Sequence, residues 1–245
     1  MGIDSENHSF RILPKFFTGS IERTVYNRRR RRLMHFTNMI RLQLSETFNE
    51  FESYFIVDSM PLEVCKISRS TRSKVCKEER FSFPDRGFCA SQKMSFYGYK
   101  LHAVCSVNGV FHSVDLSPAS VHDIHYLKDI RQQMSDCILI GDKGYLSESV
   151  QLNLFESADI RLDTPKRKNQ KEYKPQFYLF KKKRKRIETL FSQLCDQFMI
   201  RRNYAKTFSG FKTRILSKIT SLTVIQYINK VIFDRNINNI KISII

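Results

Sequence analysis

Residues 99–107, YKLHAVCSV, and 110–117, VFHSVDLS, are two strand-like runs separated only by Asn108-Gly109. An Asn-Gly pair accepts the positive φ angles of a two-residue turn, so the two runs fold back as an antiparallel hairpin. That hairpin removes all-helical folds and wholly parallel sheets from consideration. Ahead of it, YFIVD (54–58) reads as another strand. Behind it come a helix from about Val121 to Met134 capped by Ser120, a strand CILIGD (137–142), a helix near 147–157 and a strand IRLDT (160–164). From Tyr173 onward the pattern is helical, with one helix to about Ile200 and another from Ser209 to about Phe233. Strands in a meander, followed by strands alternating with helices, predict a mixed α/β sheet covered by helices.

Residues 1–50 read as a helical, basic region. Leu33, Phe36, Ile40, Leu44, Phe48 and Phe51 recur at helical spacing, and NRRRRRL (27–33) precedes or enters that helix. Arg28, Arg29, Arg30, Arg31 and Arg32 spread around a helix and point to phosphate contacts rather than a solvated face. The main domain is expected over 51–235, with a polar, basic insertion at 59–95 and a tail at 236–245. A length of 245 residues suits one large domain with a small appendage.

Charge narrows the partners. Forty-two Lys and Arg against 24 Asp and Glu leave a net charge of +18, which favours a polyanion, nucleic acid before membrane. The N-terminus has no apolar signal core, Glu6 breaks the myristoylation pattern, and no apolar stretch reaches the ~18 residues of a membrane span. The six cysteines hold no CxxC pair and read as reduced thiols in a cytosolic protein. The spacings of Cys65, Cys76 and Cys89 match no common zinc pattern.

Both YFIVD and CILIGD end in an aspartate followed by turn-forming residues. Either aspartate alone reads as a turn residue, Asp58 before Ser59 and Pro61, Asp142 before Lys143-Gly144. If the two strands lie side by side and parallel, however, Asp58 and Asp142 meet outside the carboxyl ends of the sheet, where ligands of open α/β sheets bind. Two adjacent carboxylates repel unless a proton or cation separates them. In so basic a chain, a Mg²⁺ ion that also binds substrate phosphate is the stronger explanation.

A third carboxylate comes from the long C-terminal helix. Its apolar stripe runs Phe180, Ile187, Phe191, Leu194 and Phe198, with Arg184 inside the stripe and Glu188 one turn later on its edge. An i, i+4 ion pair between them is the plainer reading. A pair serving only that purpose belongs on the opposite face, so Glu188 is expected to project towards the strand ends. The flanking runs TPKRKNQK (164–171) and KKKRKR (181–186) suit DNA backbone, with Lys166, Arg167, Lys168, Lys171 and Lys181 as candidates alongside Arg184. Lys100 and His102 share one strand face; Lys100 is a further DNA candidate and His102 reads as a satisfied sheet histidine. His122 and His125, three apart, read as helix-start packing around Asp123.

The ordered set YFIVDSMPLEVCK (54–66), FYGYKLHAV (96–104), VHDIHYL (121–127), LIGDKGY (139–145) and KRKRIETLFSQL (183–194) resembles the DDE transposases of bacterial insertion sequences, in particular the insertion sequence 982 family. The resemblance covers roughly residues 20–235. It implies an RNase H-like catalytic core with Asp58, Asp142 and Glu188 as catalytic and metal-binding carboxylates. Related transposases carry a Tyr, Arg, Glu, Lys signature on the glutamate helix; here Arg184 and Glu188 match, while Lys181 and Cys195 stand at the other two positions. Relatives also have more helical sequence before the stretch resembling residues 1–20, so the N-terminal region reads as shortened.

The resemblance implies two Mg²⁺ ions per site, with Mn²⁺ as a substitute, clamping a scissile phosphate about 3.5–4 Å apart. Double-stranded DNA, as element ends and as target, is the expected partner, bound by a homodimer or higher oligomer in the cytoplasm, at the nucleoid and away from membranes. Two rivals keep the triad: an RNase H-like nuclease that cleaves without strand transfer, and an inactive or regulatory DNA-binding derivative of a transposase.

Overall fold

The computed structural model describes residues 21–166, 173 and 175–241. Arg167, Lys168 and Lys171 lie outside the described residues. Two helices, α1 (Arg23–Arg32) and α2 (Met34–Asn49), precede β1 (Tyr54–Cys65), β2 (Asp85–Cys89), β3 (Met94–Ser106) and β4 (Phe111–Pro118). Then follow α3 (Tyr126–Ile130), β5 (Cys137–Ile140), α4 (Glu148–Ala158), β6 (Ile160–Asp163), α5 (Tyr178–Asp196) and α6 (Phe208–Tyr227).

The strands form one mixed sheet in the order β2-β3-β1-β5-β6, with β4 also on β3. β3 is long enough to hold β2 and β4 end to end along one edge, Gly98 facing Asp85 and Tyr99 facing Pro118. Its other edge pairs antiparallel with β1. β5 then runs parallel to β1, and β6 parallel to β5. The hairpin forms about Gly109, whose φ of 93° is what that turn requires.

Because side chains alternate across a strand, β1 feeds two cores. Ile56 packs with Leu101, Ala103 and Cys105 against Ile187, Leu190 and Leu194 of α5 and Ile215 and Ile219 of α6. Phe55 and Val57 point the other way, with Val104 and Leu139, towards Leu127 and Ile130 of α3 and Leu154 of α4. The sheet is thus covered on both faces, as the element order predicts.

Several local expectations change. β1 does not stop at Asp58 but runs on to Cys65, because β3 continues to offer partners as far as Tyr97. The predicted helix 121–134 shrinks to Tyr126–Ile130 behind a 3-10 turn at Asp123–His125. That turn is capped by His122, whose Nδ1 accepts the Ile124 N–H at 3.3 Å, rather than by Ser120, and α3 itself has no side-chain cap. The C-terminal helices are shorter than their periodicity, and α6 relaxes into a π turn at Ile228–Ile232.

The apolar stripe of α2 packs only towards its C-terminal end, where Leu44 and Phe48 are half-buried and Phe48 meets the Tyr227 ring at 6.4 Å. Leu33, Phe36 and Ile40 remain exposed, while Arg41 and Ser45 are buried. The pairing of β3 with β4 shifts register between Val104 and Cys105, and such a bulge leaves backbone groups without ladder partners. Arg41 supplies them: Nη1 donates to Phe111 O at 3.1 Å and to His112 O at 3.0 Å. Burial lowers the guanidinium pKa to about 10, so it stays charged at neutral pH.

Candidate active site

The last paired residues of β1 and β5 are Ile56 and Ile140. Asp58 and Asp142 each lie two residues further on, and adjacent strands are only about 4.7–4.9 Å apart. By the period of two, Asp58 shares the face of Ile56, beneath α5. It sits within β1 opposite Ala103, whose small side chain leaves space above it. Asp58 Oδ1 accepts the Ser59 N–H at 2.8 Å. Asp142 follows β5 in extended backbone and opens a 3-10 turn, its Oδ1 accepting the Gly144 N–H at 2.7 Å. A Cβ at Gly144 would lie 2.9 Å from that same oxygen, so glycine there lets the carboxylate rest against the turn.

Burying Ile187, Leu190 and Leu194 fixes the rotation of α5 and carries Arg184, half-buried, and Glu188, exposed, to the flank near Asp58. The aspartate feels them all. Burial pushes its pKa up to about 7; the Ser59 N–H opposes this, the Asp142 charge adds to it, Arg184 opposes and Glu188 adds. The structure therefore brings Asp58, Asp142, Glu188 and Arg184 into one electrostatic neighbourhood. Among the described residues neither Asp58, Asp142 nor Glu188 is in an ion pair, so Arg184 and Glu188 do not simply neutralise one another.

Among the described residues no three Asp, Glu, His or Cys side chains stand close enough to enclose a metal ion. The donor chemistry fits a lighter arrangement. Each aspartate uses Oδ1 in a local backbone hydrogen bond and leaves Oδ2 unengaged among the described residues. Mg²⁺ is usually held by one or two carboxylates, with phosphate and water completing its shell.

The predicted basic residues divide. Arg28, Arg29 and Arg32 are exposed and Arg30 and Arg31 half-buried on α1, all but Arg28 in its last turn. Lys181 is exposed, and Lys166, half-buried, follows β6. Lys100 is different: it points to the opposite face from Asp58, and Nζ donates to Val121 O at 2.8 Å and Asp123 Oδ1 at 3.0 Å. Beside it His102 is buried, bonded to Ser117 Oγ at 2.7 Å and stacked on Tyr126 at 5.0 Å. Burial takes its pKa down to about 4 against the pull of Asp123, so the ring is neutral. Asp123 thus anchors Lys100.

Tyr145 is the neighbour that sequence reasoning passed over. It is buried in the α3-side core, and its hydroxyl lacks a hydrogen-bond partner among the described residues. Burial and the charges of Asp123, Asp58 and Asp142 hold that hydroxyl well above its ordinary pKa. The available signal was its place in DKGY, three residues after Asp142.

Against known proteins, the family described as "Transposase DDE domain" matches residues 49–224. No curated protein matches the chain. A solved chain described as "Crystal structure of a pre-cleavage Mos1 transpososome" is similar at 13% identity, covering 88% of this chain and 68% of that one, with a TM-score of 0.26, too low to bear on the fold.

Proposed function

The chain belongs to the transposase DDE domain family, and from that premise we propose that it cuts DNA strands at the ends of an insertion sequence of the 982 type and joins them to target DNA. The observation that carries this reading is that the charges of Asp142, Arg184 and Glu188 all act on the buried Asp58 carboxyl in a chain of net charge +18. The mixed sheet, with a meander followed by two parallel strands, is compatible with an RNase H-like catalytic domain over 51–235. Residues 1–50 then serve as the DNA-binding region.

In this reading Asp58, Asp142 and Glu188 would hold divalent cations, Mg²⁺ or Mn²⁺. When bound, such cations supply charge stabilisation on a scissile phosphate and a more acidic attacking water. The protein's own part is positional. β1 fixes Asp58, the turn after β5 fixes Asp142, and α5 carries Glu188 and the compensating Arg184. Asp58 is half protonated near pH 7 without a cation, so cation binding displaces a proton from it. A cation-assisted attack by water and then by the freed 3′-hydroxyl needs no covalent protein–DNA intermediate. Pairing two DNA ends calls for a homodimer or larger assembly. No helix among the described residues is long and apolar enough to cross a membrane, and the proposed site of action is the nucleoid.

The test is Mn²⁺-dependent cleavage and joining of DNA carrying the gene's own flanks, comparing the wild type with Glu188→Gln. Cleaved and joined products from the wild type, both lost in the variant, are the expected result. Cleavage without joining would make the protein a nuclease. Binding with neither product would make it a DNA-binding derivative of a transposase.

A further inference from the structure

The chain between β1 and β3 builds a second site that the carboxylate edge does not use. A cleft of about 530 Å³ opens there, its wall carrying Lys77, Arg80, Arg86, Phe81, Phe83 and Tyr97. The acid among its lining residues is Asp85, whose Oδ1 is occupied by the Arg86 N–H at 2.7 Å. The cleft is therefore cationic and aromatic together. Lys77 Nζ lies over the Tyr97 ring at 5.9 Å, and Arg86 Nη2 donates to Ser70 Oγ at 3.2 Å. Arg80 makes no side-chain hydrogen bond or ion pair among the described residues.

Phe81 is 98% exposed, so its ring contributes nothing to the core. Yet it is presented on a firm support. Tyr99 Oη donates to Ser82 O at 2.6 Å, and Ser82 N–H to Glu79 O at 3.0 Å. β2 lies so close to the chain after β4 that a Cβ on Gly87 would come within 2.5 Å of Ala119 O. A ring held out in this way beside cations matches the chemistry of unpaired nucleotides, whose bases stack on aromatic faces while their phosphates meet Lys and Arg. Duplex DNA keeps its base faces covered, which favours a single strand as the occupant.

The cleft's position agrees. Tyr97 is six residues along β3 from Ala103, the partner of Asp58. At about 3.3 Å per residue that is roughly 20 Å, or about six stacked nucleotides at 3.4 Å each. We propose that this cleft binds an unpaired stretch of DNA strand running away from the cutting site. The inference rests on the DNA-cutting function proposed above.

Fluorescence anisotropy at fixed salt tests it with three DNAs: a blunt duplex, the same duplex with a single-stranded tail of about eight nucleotides, and that duplex with an abasic tail. The tailed duplex should bind about tenfold more tightly than the blunt one, with most of the gain lost in the abasic tail. Phe81→Ala and Arg80→Gln should each reduce the tail's advantage and leave blunt-duplex affinity and thermal stability unchanged. Equal affinity for blunt and tailed DNA, an abasic tail as good as a normal one, or variants that weaken both duplexes alike would overturn the proposal. Cleavage is read separately: Glu188→Gln retaining activity would sink the catalytic assignment while leaving a tail preference intact, whereas absence of all DNA binding would end both.

Discussion

Asp58 is a carboxylate kept where a carboxylate is unwelcome. Its pKa, raised by burial to about 7 from an ordinary 3.8, means the folded protein holds a proton that the unfolded chain releases between those values. This contribution to stability is therefore present at low pH and is lost as pH rises through that window. His102 acts in the opposite sense. Its pKa, depressed by burial from 6.5 to about 4, lets the unfolded chain take up a proton first, so its contribution is lost as pH falls from 6.5 to 4. The two slopes largely cancel in the metal-free wild type. Asp58→Asn removes one of them, while burial still lowers the pKa of His112 and raises that of Asp115. Chemical denaturation from pH 8 to pH 4.5 should then show the variant more stable than the wild type at pH 8. It should also lose stability towards acid more steeply, by up to about 1.4 kcal/mol per pH unit. Parallel curves would mean that Asp58 is not desolvated.

At the scale of elements, α2 shows what a pattern in sequence can and cannot tell. Periodicity identifies residues that share a helix face; it does not say which face meets the sheet. Leu33, Phe36 and Ile40 share one, yet Arg41 is the residue driven inwards, because the bulged edge of β4 presents carbonyls that only a donor can satisfy. Arg41→Leu should therefore cost about 2–4 kcal/mol, from two buried acceptors left unmatched, measured as a lower urea midpoint with the slope unchanged. The β2 strand inside the polar stretch 59–95 was not legible, but the hairpin and the other strands were, because turn chemistry and apolar runs are local. The length of β1 was not, since it depends on how far β3 extends beside it. The role of Lys100 was equally hidden: on a polar strand face it suits DNA, and only the fold brings Asp123 to its ammonium. Tyr145 needed both cores in place before its buried hydroxyl had meaning.

For the molecule as a whole, a charge of +18 would make the proposed DNA affinity a matter of ions released. Arg28–Arg32 end α1 in a run whose members are exposed or half-buried. Replacing all five with Gln should flatten the dependence of log affinity on log salt by about 0.9 for each phosphate contact removed, hence by up to about 4–5. Melting temperature should stay unchanged, because none of the five is buried. A slope that does not move would assign the electrostatic footprint to α5 and its flanks instead.

The two aspartates are mounted differently. Asp58 is locked into a strand whose ladder continues on both sides of it along β3, whereas Asp142 stands two residues past the end of β5 on a short turn. One behaves as a fixed jaw and the other as an adjustable one. In the proposed reading, β1 would hold Asp58 still while the turn at Lys143–Tyr145 and the exposed Glu188 on α5 adjust around an ion and a phosphate. Amides of that turn should exchange more slowly with solvent deuterium once Mn²⁺ is added, while those of β1, already immobile, have nothing left to lose.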